Sequence, residues 1–370
     1  MKCSLNVEFF DSTLRCYYIH LCLTNHAKQM KYTLSLVAFL IAISSQATII
    51  TVSNTVNVPA MYNNAQVAVD AASDGDTVQV FPSQTSYGAL NITHGITLIG
   101  AGLGSNFRSS FNNVDCTTAS AVHLLGLDIA VFGSYSTIPG NDWVIESCEL
   151  TYMVFPGIWN NILVRNCSGI SDLAAFSNDN GLVFSNNIFS SINQTNIGQD
   201  NGEDNVFNPS ATATFFVNNF FPEFARFAAT NLVFIDNIFK IVQDASANRP
   251  CYNCMFQNNY SYCQSCLISN ITGAIALNNI ENGPAPFVNE SLNLSHADFN
   301  LVAGSTAIGA GSNGTDIGVH AGLYPPSADL NYGLNVIGLP VIDLFTIDNP
   351  IIAPNGQLQI QAVSSIPAAQ

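Results

Sequence analysis

The sequence predicts an all-β fold: one right-handed parallel β-helix, a solenoid of stacked coils entered through a short helical cap. Three observations predict it. A unit of about 20 residues recurs along the chain. Inside each unit, apolar residues alternate with the period of a strand. Each unit also places an Asn, or in two copies a Cys, at one fixed offset from that alternation.

The template reads apolar, x, apolar, x, x, Asn, x, apolar. It fits Leu182, Phe184, Asn187 and Phe189, then Thr214, Phe216, Asn219 and Phe221, then Leu232, Phe234, Asn237 and Phe239. Cys254, Phe256 and Asn259 continue it, followed by Ala274, Ala276 and Asn279. Trp143, Ile145, Cys148 and Leu150 carry Cys at the Asn position, as do Ile162, Val164 and Cys167. Val122, Leu124, Leu127 and Ile129 look like a still earlier coil. Key positions 127, 148, 167, 187, 219, 237, 259 and 279 are separated by 21, 19, 20, 32, 18, 22 and 20 residues. A repeat this short cannot bury its apolar side alone, so its neighbours must stack. Strands that recur in register at this spacing must pair in parallel, coil on coil. Leucine-rich repeats share the period but need a Leu-rich consensus and a helical return, and here Phe and Asn dominate.

The chain contains 43 Asn, and the bends explain the excess. Where a coil turns sharply, backbone groups lose their ladder partners. An Asn side chain supplies both donor and acceptor, so stacked Asn can bond each other and the bent backbone. Phe184, Phe216, Phe234 and Phe256 should form one interior stack, and Phe189, Phe221 and Phe239 another.

Both ends of the solenoid should be capped, because an exposed strand edge invites pairing. Asn63 to Ala72 reads as an amphipathic helix with Asn63 or Asn64 as N-cap and Ala65, Ala68, Val69 and Ala72 on one face. Thr77–Val80 and Ile96–Gly100 read as the first strands. The segment Gly75-Asp76-Thr77-Val78 through Ile96-Thr97-Leu98-Ile99-Gly100-Ala101-Gly102, and Ser305 to Gly311 with Asp316-Ile317-Gly318, resemble the opening and closing segments of the pectin lyase-like β-helix superfamily. The resemblance covers roughly residues 49–325. It implies carbohydrate-active enzymes: lyases, hydrolases and epimerases acting on acidic or neutral polysaccharides.

The flanks follow from composition. Met30-Lys31, the apolar run Leu34 to Ile43 and Ser45-Gln46-Ala47 read as a secretory signal peptide over residues 30–47, cleaved after Ala47. Residues 1–29 are either a spurious gene-call extension or a real unstructured one. The β-helix is expected over 48–325. Residues 326–370 break the pattern; Asp343 to Ile347 and Gln357 to Ala362 could be short strands in a C-terminal tail, a linker or part of a further sandwich. The signal run is too short to span a membrane and no second apolar span follows. The expected product is therefore secreted or cell-surface and monomeric.

Chemistry is harder to find. Net charge is −16 with only nine Lys plus Arg in the whole chain, which excludes a basic nucleic-acid face. In an exported protein, Cys251, Cys254, Cys263 and Cys266 fit two disulfides better than a zinc knuckle, although free thiols stay open. Cys148 and Cys167, at equivalent positions in consecutive coils, either bridge or simply stack as buried thiols. Asp200, Glu203 and Asp204, in the enlarged loop, could fold round Ca²⁺, or could be a solvated acidic loop. Stacking arithmetic puts Arg226 near Asp244, with Glu223 and Lys240 close by, as weak catalytic candidates, and stacks Glu146 on Arg165. Trp159 is either a sugar platform or a packed aromatic. His94, His123, His296 and His320 form no motif. Eight Asn-x-Ser/Thr matches are about what so much Asn yields by chance. The expected function is binding of a glycan or another surface without catalysis. The alternatives are a polysaccharide lyase or hydrolase and a structural or adhesive solenoid.

Overall fold

The computed structural model describes residues 47–102, 108–116, 119–133, 140–155, 159–175, 180–190, 196–197, 214–222, 229–241, 251–262, 268–271, 273–290, 298–322, 341–347 and 360–365. Within Ile49–Gln370 these form an all-β parallel solenoid with almost no helix. Among the described residues, eleven strands pair in parallel in strict chain order from Ile49–Val52 to Ala274–Leu277. A second, twelve-stranded sheet runs beside it, from Ala89–Ile92 to Tyr260–Ser261. Each coil from Thr77–Val80 to Cys254–Gln257 contributes to both sheets. The expected register holds: Val164 lies beside Phe184, Phe184 beside Phe216, Phe216 beside Phe234, and Phe234 beside Phe256.

The bend between the sheets is built from two adjacent residues with different tasks. The first adopts a left-handed conformation, with φ of 53° to 58° at Ser147, Asn166, Asn186, Asn218, Asp236, Asn258 and Asn278. Asn and Asp tolerate this region better than other side chains, and in the earlier coil Gly126 takes the same place at φ 65°. The second residue points inward and forms the ladder. Asn219 Nδ2 donates to Asn237 Oδ1 at 3.0 Å and to Phe184 C=O at 2.9 Å, and its backbone N–H donates to the same Oδ1 at 2.8 Å. Asn187, Asn237 and Asn259 repeat the pattern one coil at a time.

The two Cys positions continue this ladder. Cys167 N–H donates to Asn187 Oδ1 at 2.9 Å, Cys148 N–H to Cys167 Sγ at 3.5 Å, and Leu127 N–H to Cys148 Sγ at 3.5 Å. Both thiols are free and buried, so they stack and do not bridge. Burial pushes the Cys167 thiol up, reinforced by the neighbouring Cys148, and this keeps it unreactive. Cys254, in the last coils, is disulfide-bonded, which removes its thiolate from any zinc site. The Cys263 and Cys266 candidates lie outside the described residues, as does the Cys251 side chain.

Two columns of rings fill the interior. Phe184, Phe216, Phe234 and Phe256 stack nearly parallel at 5.0, 4.8 and 4.5 Å. Phe189, Phe221 and Phe239 stack at 4.4 and 5.0 Å. Phe132, Trp143, Phe155 and Trp159 fill the preceding coils edge to face.

At the N-terminal side the helix spans Ala65–Asp70 and buries Ala65, Ala68 and Val69; Asn64 Oδ1 accepts the Val67 N–H. The closing segment behaves differently from expectation. It does not cover the last coil but returns along the flank of the solenoid. Ser312 N–H donates to Asp236 Oδ1, Gly318 N–H to Asp236 C=O, and Asn186 Nδ2 to the carbonyls of Val319 and Ala321. The strap thus takes up polar groups that the left-handed corner turns outward. Its approach is close: at Gly318, with φ 112°, a Cβ would sit 2.6 Å from Ile238 Cδ1. Beneath it Ile188, Phe220, Ile238 and Tyr260, which point out of the second sheet, pack against Phe287, Phe299, Ala307, Ile317 and Val319 as a second core. Further on, Val341–Ile347 and Ile360–Ser365 pair as an antiparallel hairpin.

Candidate functional site

Outward positions of the two sheets are where a solenoid can display chemistry. On the eleven-stranded sheet, strands His123–Leu125, Val144–Glu146 and Asn160–Arg165 are consecutive neighbours. Their register sets Glu146 beside Arg165 and lets His123 reach diagonally. Arg165 Nη2 donates to Glu146 Oε2 at 2.8 Å, and His123 Nε2 lies 3.2 Å from the same oxygen. The Glu146 side chain is only 6% exposed. Burial pushes its carboxyl up, but the hydrogen bonds from His123 and Arg165 and the Arg165 charge outweigh that and hold it below its ordinary value. Glu146 is therefore a carboxylate at neutral pH, engaged by two partners and unsuited to donating a proton.

That depressed value has a stability consequence with a definite sign. Stability from the Glu146 cluster is fully present above the ordinary carboxyl value of 4.5 and is lost as pH falls through the lower folded value. The Glu146→Gln protein should be less stable than the parent at pH 7, by about 1–3 kcal/mol, with the gap narrowing as the pH falls below 4.5. A gap that stays constant across a pH series of thermal melts would contradict the assignment.

The second sheet carries another cluster. Asp128 and Glu149 are direct register partners on adjacent strands. Arg108 Nη1 donates to Glu149 Oε2 and lies 3.8 Å from Asp128 Oδ2, which also accepts the Ser110 hydroxyl at 2.9 Å. Sequence reasoning missed this group because Arg108 precedes the clear repeats. Nor did it join His123 to Glu146: the contact is diagonal across the ladder, off the column that stacking arithmetic follows.

The other sequence candidates fare unevenly. Arg226, Glu223, Asp244, Asp200, Glu203 and Asp204 lie outside the described residues. Lys240 pairs with Glu290, whose other oxygen accepts the Tyr262 hydroxyl. Trp159 is 2% exposed and packed among Phe132, Trp143 and Phe155, so it is no sugar platform. Asn166 and Asn259 are buried, so those two sequons are fold residues. Among the described residues, no group of three or more His, Cys, Asp or Glu could hold a metal ion, and no helix is long and apolar enough to cross a membrane.

Beyond the ion clusters, the outward face of the eleven-stranded sheet turns apolar. One column runs Val144, Leu163, Val183, Phe215, Val233, Met255 and Ile275. The equivalent apolar column of the second sheet is roofed by the strap, whereas here Phe215, Ile275 and Leu277 stay exposed. No protein-family model matches the sequence, and no curated protein matches it. The fold and the two faces are thus the basis for a functional reading.

Proposed function

We propose that this is a secreted or cell-surface right-handed parallel β-helix of the pectin lyase-like kind, entered through the Ala65–Asp70 helix as its cap. In this reading it binds a glycan or other extended surface through the outward face of the eleven-stranded sheet, without turnover. One observation carries it: that face presents an apolar column with no strap over it, exposed at Phe215 and Ile275, while the ionisable group beside it, Glu146, is internally saturated. Repeated side chains at the strand spacing of about 4.8 Å suit a repetitive polymer, and Phe215 offers a ring for stacking on sugar. The signal-peptide pattern and the resemblance of the opening and closing segments support export and the superfamily.

A hydrolase is the second reading, favoured by Asp128 and Glu149. Neighbouring strands bring two carboxyl groups to about 5 Å, a spacing used for glycoside cleavage. Arg108 weighs against it by engaging both.

A panel of polysaccharides, assayed for pull-down and for reducing ends or unsaturated products, separates the readings. Expected is retention on at least one polymer with no product, and at least tenfold weaker retention for Phe215→Asp. Turnover abolished by Glu149→Gln, Arg226→Ala or Glu223→Ala would establish the enzyme.

A further inference from the structure

We propose that the protein forms a two-fold dimer through the edge of its last coil, the strand Ala274–Leu277. Every earlier coil hands its corner N–H to the next: Asn218 to Ile235 C=O, Asp236 to Gln257 C=O, Asn258 to Leu277 C=O. Asn278 has the same left-handed backbone, and among the described residues no following coil receives its N–H. The parallel register with Cys254–Gln257 turns the backbone groups of Ile275 and Leu277 toward that strand. Those of Ala276 therefore point away from it, and nothing among the described residues bonds them. Ala276, an interior position in all preceding coils, is exposed here, and Ile275 and Leu277 are 56% and 44% exposed.

The occupant follows from the two ends being unlike. The N-terminal edge is covered over its Val52 end: Tyr62 N–H donates to Thr51 C=O, Ser53 N–H donates to Tyr62 C=O, and Val52 beneath is fully buried, while Ile49 stays exposed. Head-to-tail stacking of copies, and with it a filament, would have to displace this bridge. The hairpin Val341–Ile347 with Ile360–Ser365 is a sheet of its own and does not pair with the last coil. What fits the open edge is the same edge of a second copy. Brought together antiparallel with the axis at Ala276, the two Ala276 residues exchange N–H···O=C bonds. Asn278 N–H then faces Ala274 C=O of the second copy. Ile275 falls directly opposite Leu277 of the second copy, on one face, so their exposed side chains cover each other. The edge is complementary to itself in both hydrogen bonding and apolar contact.

Sedimentation velocity of the purified full chain over a wide concentration series tests this. The expected result is a reversible monomer–dimer equilibrium. Ala276→Pro deletes only an outward N–H, which an edge strand tolerates, and should leave a monomer with unchanged melting. The double substitution Ile275→Lys with Leu277→Lys, at exposed positions, should do the same, and it decides the matter if the proline variant misfolds. A chain that stays monomeric throughout, that grows beyond a dimer, or that dimerises unimpaired in folded variants overturns the proposal.

Discussion

Asn237→Ala should be among the most destabilising single changes in the protein, costing about 3–5 kcal/mol. The side chain is fully buried in the middle of the ladder. Its Oδ1 accepts from both the backbone N–H and the Nδ2 of Asn219, and its Nδ2 donates to the carbonyls of Phe216 and Ile235 and to Asn259 Oδ1. Truncation strands several of these groups without water, and each orphan costs about 1–3 kcal/mol. The fold supplies its own controls. Cys148 and Cys167 occupy the same ladder position and accept backbone N–H groups on sulfur, so Asn237→Cys should recover part of the loss. Asn279, in the half-exposed terminal coil, receives the Asn259 donors; there Asn279→Ala should cost less because water can substitute. Urea midpoints should order parent, Asn279→Ala, Asn237→Cys, Asn237→Ala. Equal midpoints for the two alanine variants would mean that the ladder is not cooperative.

This ladder also marks how much of the fold the sequence carried. The inward Asn was legible because its offset is fixed while the surrounding residues vary. The left-handed residue just before it was not singled out, since Ser147, Asp236 and several Asn share a backbone geometry and no single residue type. The strap was misread for a physical reason: its apolar residues look like any closing coil. Its destination is set by Ile188, Phe220, Ile238 and Tyr260, and by Asn186, which bonds Ala321 from 135 residues upstream. The candidate site was less legible still. Glu146 over Arg165 follows from a step of one coil, but His123 reaches across the ladder, and Arg108 enters through a bridge to Ser83 that belongs to no repeat. Periodicity predicts columns and is silent on diagonals.

Phe234→Ala should cost a further class of energy, about 3–5 kcal/mol from the cavity and lost transfer. The ring is fully buried, stacked between Phe216 and Phe256, with Phe221 and Phe239 meeting it edge to face at 6.0 Å. Elsewhere a core can collapse into such a void. Here the coils above and below are held at strand spacing by backbone and Asn hydrogen bonds, so the cavity should stay open and the cost should fall at the upper end. Phe234→Leu keeps more of the volume and should cost about half as much. Because each coil touches only its neighbours, the loss concentrates at one junction. Amide exchange in Cys254–Gln257 and Ala274–Leu277 should therefore quicken far more than in Val144–Glu146 and Asn160–Arg165, and urea unfolding should broaden as the C-terminal coils release first. Uniform acceleration across all coils would instead mean that the strap, which ties the corners of Asn186 and Asp236 together, binds the coils into one cooperative unit.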